Sequence, residues 1–194
     1  FPVGPAVPTL EAVKAFRVKM RSLGLEVHPG CKCRVYCPTT TVRAEVEAWI
    51  AQQEGDDCIY PEVVDGVDCY GVPVGNTAYV AAQLEAKVDE VISGIAHAQE
   101  LLQGQHQQAL WQLLRQSYAQ QFDYWLQLSY PSDVLGPAER VDGAVWAAME
   151  QCLGVKVLQG GPANQVAARR VRQPVRLKGV GLRSHVEVAP AAFL

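Results

Sequence analysis

The densest group of reactive side chains is HPGCKCRVYC, which places His28, Cys31, Cys33 and Cys37 within ten residues. Zinc takes a tetrahedral set of just such thiolates and imidazoles. The spacing, however, is Cys-x-Cys-x3-Cys with a histidine three residues upstream, which matches none of the standard paired patterns, and two of the cysteines fall in a strand-like run. The alternative, Cys33 and Cys37 as small hydrophobes on one side of a strand, is preferred over a metal site. The adjacent Asp56 and Asp57 form a Gly-Asp-Asp triplet, the kind of pair that holds two metal ions in polymerases. Such a pair sits at a hairpin turn between apolar strands. Here AQQE precedes it and reads as the end of a helix, so a solvated loop is expected. The histidines at 28, 97, 106 and 185 are scattered, with no local serine–histidine–aspartate motif and no glycine-rich phosphate loop. The residues therefore give no catalytic group, no metal ligand and no cofactor.

Phosphate binding asks for less than catalysis does. Arg169, Arg170, Arg172, Arg176, Lys178 and Arg183 fall within fifteen residues with no acid between them, enough to neutralise several phosphates of a nucleic acid. The charge is unevenly placed. Residues 1–160 hold eleven Lys or Arg against nineteen Asp or Glu, net −8, and residues 161–194 hold six against one, net +5, leaving −3 overall. Such asymmetry points to a local contact with something acidic. At 49% hydrophobic and 19% charged over 194 residues the chain has the composition of a globular protein. It has no run of eighteen apolar residues, so no membrane span is expected. Six unevenly spaced cysteines predict an intracellular, reducing compartment: nucleus, cytoplasm or an organelle such as the mitochondrion. FPVGPAVPTL has no basic region before an apolar core, so it does not read as a signal peptide, and a removed leader or a longer parent chain is expected.

The elements that must position these groups are written in the periodicity. TLEAVKAFRVKMRSLG has apolar residues at 10, 13, 16, 20 and 23, predicting a helix with Thr9 as N-cap and Gly24 just past its end. LEV and CRVYC flank a Pro29-Gly30 turn signal and are expected to pair as a hairpin. A second helix is expected over VRAEVEAWIAQQ, capped from Thr39 to Thr41, and VVDGVDCYGVPVG as one or two strands broken by glycine. Three helical segments follow, TAYVAAQLEAKVDEVISGIAHAQELL, QHQQALWQLLRQSYAQQFDYWLQLS and PAERVDGAVWAAMEQCLG, joined closely enough for antiparallel neighbours. Leu110, Leu113, Leu114, Ser117, Tyr118, Gln121, Trp125 and Leu128 make the predicted core face of the middle one. The expected fold class is α+β: a small N-terminal α/β unit over 1–75, a mainly helical bundle over 76–159, then a basic segment and C-terminal helix over 160–194.

Four stretches together resemble the end of the palm and the thumb of a reverse transcriptase of the non-LTR retrotransposon type. GLEVHPGCKCRVY is similar to the family's Gly-Leu-x-hydrophobic-Asn-Pro-x-Lys-Cys segment. GVDCYGVPVGNTAYV is similar to its Leu-Gly-x-Pro-hydrophobic-Gly-Ser segment, which leads from palm to thumb. SYAQQFDYWLQLSYPSDV resembles the thumb helix that ends in an Asn-Tyr-Leu-Leu-Arg-like sequence. QPVRLKGVGLRSHVEVAPAAFL resembles a Leu-Pro-x-Arg-x-Gly-Gly-hydrophobic-Gly-Leu-Arg-Ser segment and the helix after it. His28 and Asp123 stand where the family has Asn, one extra residue precedes Lys32, and Lys178 replaces the first glycine of the Gly-Gly pair.

The resemblance implies a palm-like remnant followed by a helical thumb. Lys32 would lie near the lysine proposed to protonate departing pyrophosphate, residues 65–74 near the primer grip, and the helices against a duplex. The family's metal-binding aspartates lie upstream of the Gly-Leu segment and would precede Phe1, so the expectation is a non-catalytic domain. It would touch RNA or an RNA/DNA duplex through Arg169, Arg170, Arg172, Arg176, Lys178, Arg183 and Lys32. The alternative expectation is a remnant reused as a structural subunit of a large complex, such as a mitochondrial ribosome or another ribonucleoprotein, with further protein subunits as partners.

Overall fold

The structure, a computed structural model, describes residues 3–26, 33–54, 58–102, 106–154 and 162–192. His28, Cys31, Lys32, Asp56 and Asp57 lie outside the described residues. The fold is α+β, with small two-stranded sheets and a helical bundle. It divides into two compact units, Phe1–Val80 and Ala81–Leu194. The division falls five residues past Gly75, and the basic segment belongs with the second unit.

In the first unit, helix α1 (Ala6–Ser22) starts three residues before Thr9, with Pro5 at its N-cap position, and Gly24 follows its end at φ 74°. Pro5 needs no N–H there, and its fixed φ suits a helix start. Helix α2 (Thr40–Ala51) is capped by Thr39, whose hydroxyl accepts from the Val42 N–H at 3.2 Å. Leu10, Val46, Trp49 and Ile59 form the core, with Val35 and Val63 packed against it. The Trp49 indole N–H donates to Glu11 at 2.7 Å, and Arg17, itself buried, donates to the Cys58 carbonyl.

The expected hairpin between LEV and CRVYC is not the pairing of the second run. Strand β1 (Arg34–Tyr36) pairs in parallel with β2 (Glu62–Val64), with Arg34 opposite Glu62 and an ion pair at 3.3 Å between them. Parallel strands need a crossover, which α2 provides, and this places Val35 and Val63 together on the core. Strands β3 (Gly66–Cys69) and β4 (Val72–Gly75) form an antiparallel hairpin. Its two-residue turn has positive φ at Tyr70 (57°) and Gly71 (84°), the geometry that matches strand twist. Asp68 accepts the Gly71 N–H at 2.6 Å.

The bundle is framed by α3 (Thr77–Leu101), whose first turn holds the division between the units, and α7 (Pro131–Leu153). Leu84, Val88, Val91, Ile95 and Ala98 make the buried stripe of α3. That of α7 includes Val134, Ala138, Val141, Val145 and Met149. Arg140 of α7 bridges Glu85 and Asp89 of α3, and Gln99 meets Gln151 at 2.5 Å. The pairings advance in the same direction along both helices, so α3 and α7 run parallel. Between them the chain returns through α4 (Gln107–Leu113), α5 (Ala119–Gln121) and α6 (Asp123–Leu128), with Leu114–Tyr118 as a π-helical turn after α4.

The π turn corrects the predicted core face. Up to it the 3.6-residue period holds for Leu110 and Leu114, which are buried, while Leu113, predicted on the same face, is exposed. An i→i+5 turn inserts one extra residue. Beyond it the buried positions are Ala119, Phe122, Leu126 and Ser129, each one residue later than the predicted Tyr118, Gln121, Trp125 and Leu128. Phe122→Ala is therefore expected to cost about 3–5 kcal/mol in urea unfolding, and Leu128→Ala under about 1 kcal/mol. Equal costs would contradict the shifted register.

Candidate nucleic-acid interface

The basic segment folds as α8 (Pro162–Arg172), a short 3-10 turn (Val175–Leu177) and α9 (His185–Ala192). A helix ends with carbonyls that lack partners. Here the following loop folds back to supply them. The Gln173, Val180 and Leu182 N–H groups donate to the carbonyls of Arg169, Arg170 and Val171, each at 3.0 Å. The loop is closed on itself by Gly181 N–H to the Gln173 carbonyl at 2.8 Å and by Leu177 and Gly179 to the Pro174 carbonyl at 2.8 and 3.2 Å. A Cβ on Gly179 would stand 2.0 Å from the Gln173 oxygen, so only glycine fits at this crossing. The segment is thus a clasped loop whose cations have fixed backbone positions.

Arg169 and Arg170 lie in the last turn of α8, and Arg176 and Lys178 on the loop; all four are exposed. None makes a hydrogen bond or ion pair among the described residues. Lys178 has φ 62°, the left-handed conformation that disfavours side chains. Lys178→Gly is expected to raise stability by about 0.5–1 kcal/mol, the relief of left-handed strain less the entropy glycine loses. A lowered urea midpoint would show that the lysine makes a stabilising contact.

The other two cations of the run have partners. Arg172 pairs with Glu187 and stands 5.4 Å from the centroid of the buried Trp146 ring. Arg183 donates to Asp123 at 2.5 Å. The Arg172–Glu187 pair joins α8 to α9, while the Arg183–Asp123 pair and the Trp146 contact hold the segment to the bundle; each exposed pair contributes under about 1 kcal/mol, with a similar addition from the ring contact. Arg172→Ala should accordingly lower stability by about 1 kcal/mol and leave nucleic-acid affinity within about twofold. A tenfold loss of affinity would show that Arg172 contacts the nucleic acid directly.

Beneath the segment lies a buried polar cluster that the sequence does not announce. Asp142 of α7 accepts from the Ser184 hydroxyl (2.8 Å), the His185 N–H (3.0 Å), the Val186 N–H (3.3 Å) and His185 Nδ1 (2.6 Å). His185 Nε2 lies 3.0 Å from the Ala119 carbonyl and 4.0 Å from Asp123. Both ring nitrogens face oxygen atoms, of Asp142 and of Ala119. Burial pushes the Asp142 carboxyl up. The hydrogen bonds from His185 and Ser184 outweigh it and leave the group below the ordinary aspartate range. The residue types are those of a hydrolytic triad, but the serine donates to the aspartate and not to the histidine, and all three are buried. The arrangement caps the start of α9 instead: its free N–H groups meet a carboxylate.

The described part of the cysteine cluster has no ligand geometry. Cys33 and Cys37 flank β1 as free thiols, Cys37 packed on the core. Burial pushes both thiols up. No group of three or more potential metal ligands occurs among the described residues. No helix is long and apolar enough to cross a membrane among the described residues.

No protein-family model matches this chain, and no curated protein or solved structure matches it either.

Proposed function

We propose that this protein is a non-catalytic nucleic-acid-binding domain of reverse-transcriptase thumb type, which grips an RNA or RNA/DNA duplex through the clasped loop. One observation carries the reading: Arg169, Arg170, Arg176 and Lys178 are exposed, without internal partners among the described residues, on a backbone held by its own hydrogen bonds. A fixed set of cations loses less entropy on meeting phosphates than a free tail does. A lysine at φ 62° supports the reading further, because strain in a fold concentrates where function requires it. The resemblance of QPVRLKGVGLRSHVEVAPAAFL to a thumb segment supplies the family and the duplex as ligand.

The net −8 of residues 1–160 favours a second reading, a structural subunit of a larger ribonucleoprotein. In it only the basic face meets RNA, and the acidic remainder meets protein.

Amide shift mapping with a 20-base-pair RNA duplex tests the contact. Shifts centred on residues 169–181 are expected. Shifts confined to other residues, or none at up to 100 µM duplex in 50 mM salt, would overturn it.

A further inference from the structure

Arg115 is a cation that neither composition nor spacing marks, a single basic residue inside LWQLLRQSY. It belongs to the π-helical turn Leu114–Tyr118, which is held on both flanks: Leu114 is fully buried, and the Tyr118 ring lies against Gly94 of α3, 2.9 Å from where a Cβ there would stand. The turn delivers the Arg115 side chain to the clasped loop. A Cβ on Gly181 would stand 3.5 Å from Arg115 Nε and 3.1 Å from the Val175 methyl. The guanidinium therefore lies against bare glycine backbone between Lys178 and Arg183. It is half-buried, yet makes no hydrogen bond or ion pair among the described residues.

Resting on the nucleic-acid reading above, we propose that Arg115 is a further phosphate contact of the same surface. It supplies from the bundle a planar, bidentate donor against Gly181 of the loop that also carries Arg176 and Lys178. The ordinary role of such a side chain is to lay its stem on apolar neighbours and leave its head in water. The difference here is the company: the unpaired guanidinium lies against Gly181 of the same loop that carries the unpaired Arg176 and Lys178, so a phosphate backbone laid on that loop meets it as well. A π turn within a helix is also a recurrent mark of functional positions. Guanidinium suits the task because it meets phosphate through two parallel N–H donors, where an ammonium acts as a point charge.

The test is the full chain with a fluorescent 20-base-pair RNA duplex, titrated from 50 to 200 mM salt, for wild type, Arg115→Gln and Arg115→Lys. Thermal melts verify that each variant is folded. Arg115→Gln is expected to weaken binding about three- to tenfold at low salt and to reduce the slope of log K on log salt by about 0.9, one phosphate contact. Arg115→Lys should restore the slope but not the full affinity. If wild type binds with a steep slope and Arg115→Gln binds identically, Arg115 is a structural side chain and the inference fails alone. If wild type has no salt dependence, the nucleic-acid reading fails and takes this inference with it. Binding of polyglutamate as tight as that of RNA would assign the surface to an acidic protein instead.

Discussion

Asp142→Ala is expected to cost about 3–5 kcal/mol of folding stability, because it removes the shared acceptor of a buried hydrogen-bond cluster and leaves several buried donors without a partner. The carboxylate accepts from Ser184, from the His185 backbone and ring, and from Val186. Its loss leaves buried donors at the start of α9 and takes from the His185 ring its Nδ1 partner. Asp142→Asn keeps the shape but lacks the charge and turns one oxygen into a donor that faces donors, so its cost should be only modestly smaller. If the alanine chain does not fold, the asparagine chain in urea still gives the comparison. A cost below about 1 kcal/mol for both would mean that α9 is not held by this cluster.

The same carboxylate gives a pH dependence with a definite sign. The folded-state pKa of Asp142 lies below the ordinary aspartate value, so the native state binds its proton less readily than the unfolded chain. That contribution is fully present above the unfolded value and is lost as pH falls through the folded one. Below about pH 4, where an unfolded aspartate takes up its proton, wild type should therefore lose stability relative to its plateau, and Asp142→Asn should lose less over the same interval.

The long periodic segments were legible in the sequence because apolar spacing and helical geometry share a period. The stripe Leu84, Val88, Val91, Ile95 and Ala98 is an example, and Thr39 announced its helix by residue type. What stayed hidden depended on partners distant in sequence or on a local break in period. Nothing in CRVYC says that Val35 meets Val63 in parallel, since β-propensity does not choose a partner. The π turn at Leu114–Tyr118 carries no proline or glycine to mark it, and it moved the buried face by one residue. The Asp142 cluster joins residues 42–44 positions apart, beyond any local motif. The basic run was visible as charge alone. The fold sorted it, pairing Arg172 and Arg183 with Glu187 and Asp123 and leaving Arg169, Arg170, Arg176 and Lys178 without partners among the described residues.

That sorting leads to the second large effect. Replacing Arg169, Arg170, Arg176 and Lys178 together by glutamine keeps a polar side chain at each position, removes four charges and touches no ion pair among the described residues, so stability should stay within about 1 kcal/mol of wild type. Each phosphate neutralised releases counterions and contributes about 0.9 to the salt slope on a duplex. With four cations fewer to neutralise phosphates, the slope should flatten by about 3–4 and binding at 50 mM salt should weaken by at least about a hundredfold. Arg172→Gln with Arg183→Gln is the natural control, since it removes charge from the same segment at paired positions.

The measurement to make is the equilibrium affinity for a 20-base-pair RNA duplex between 50 and 200 mM salt, for wild type and the fourfold glutamine variant side by side. The account predicts a steep wild-type slope that falls by about 3–4 in the variant. Equal slopes in the two proteins would contradict it.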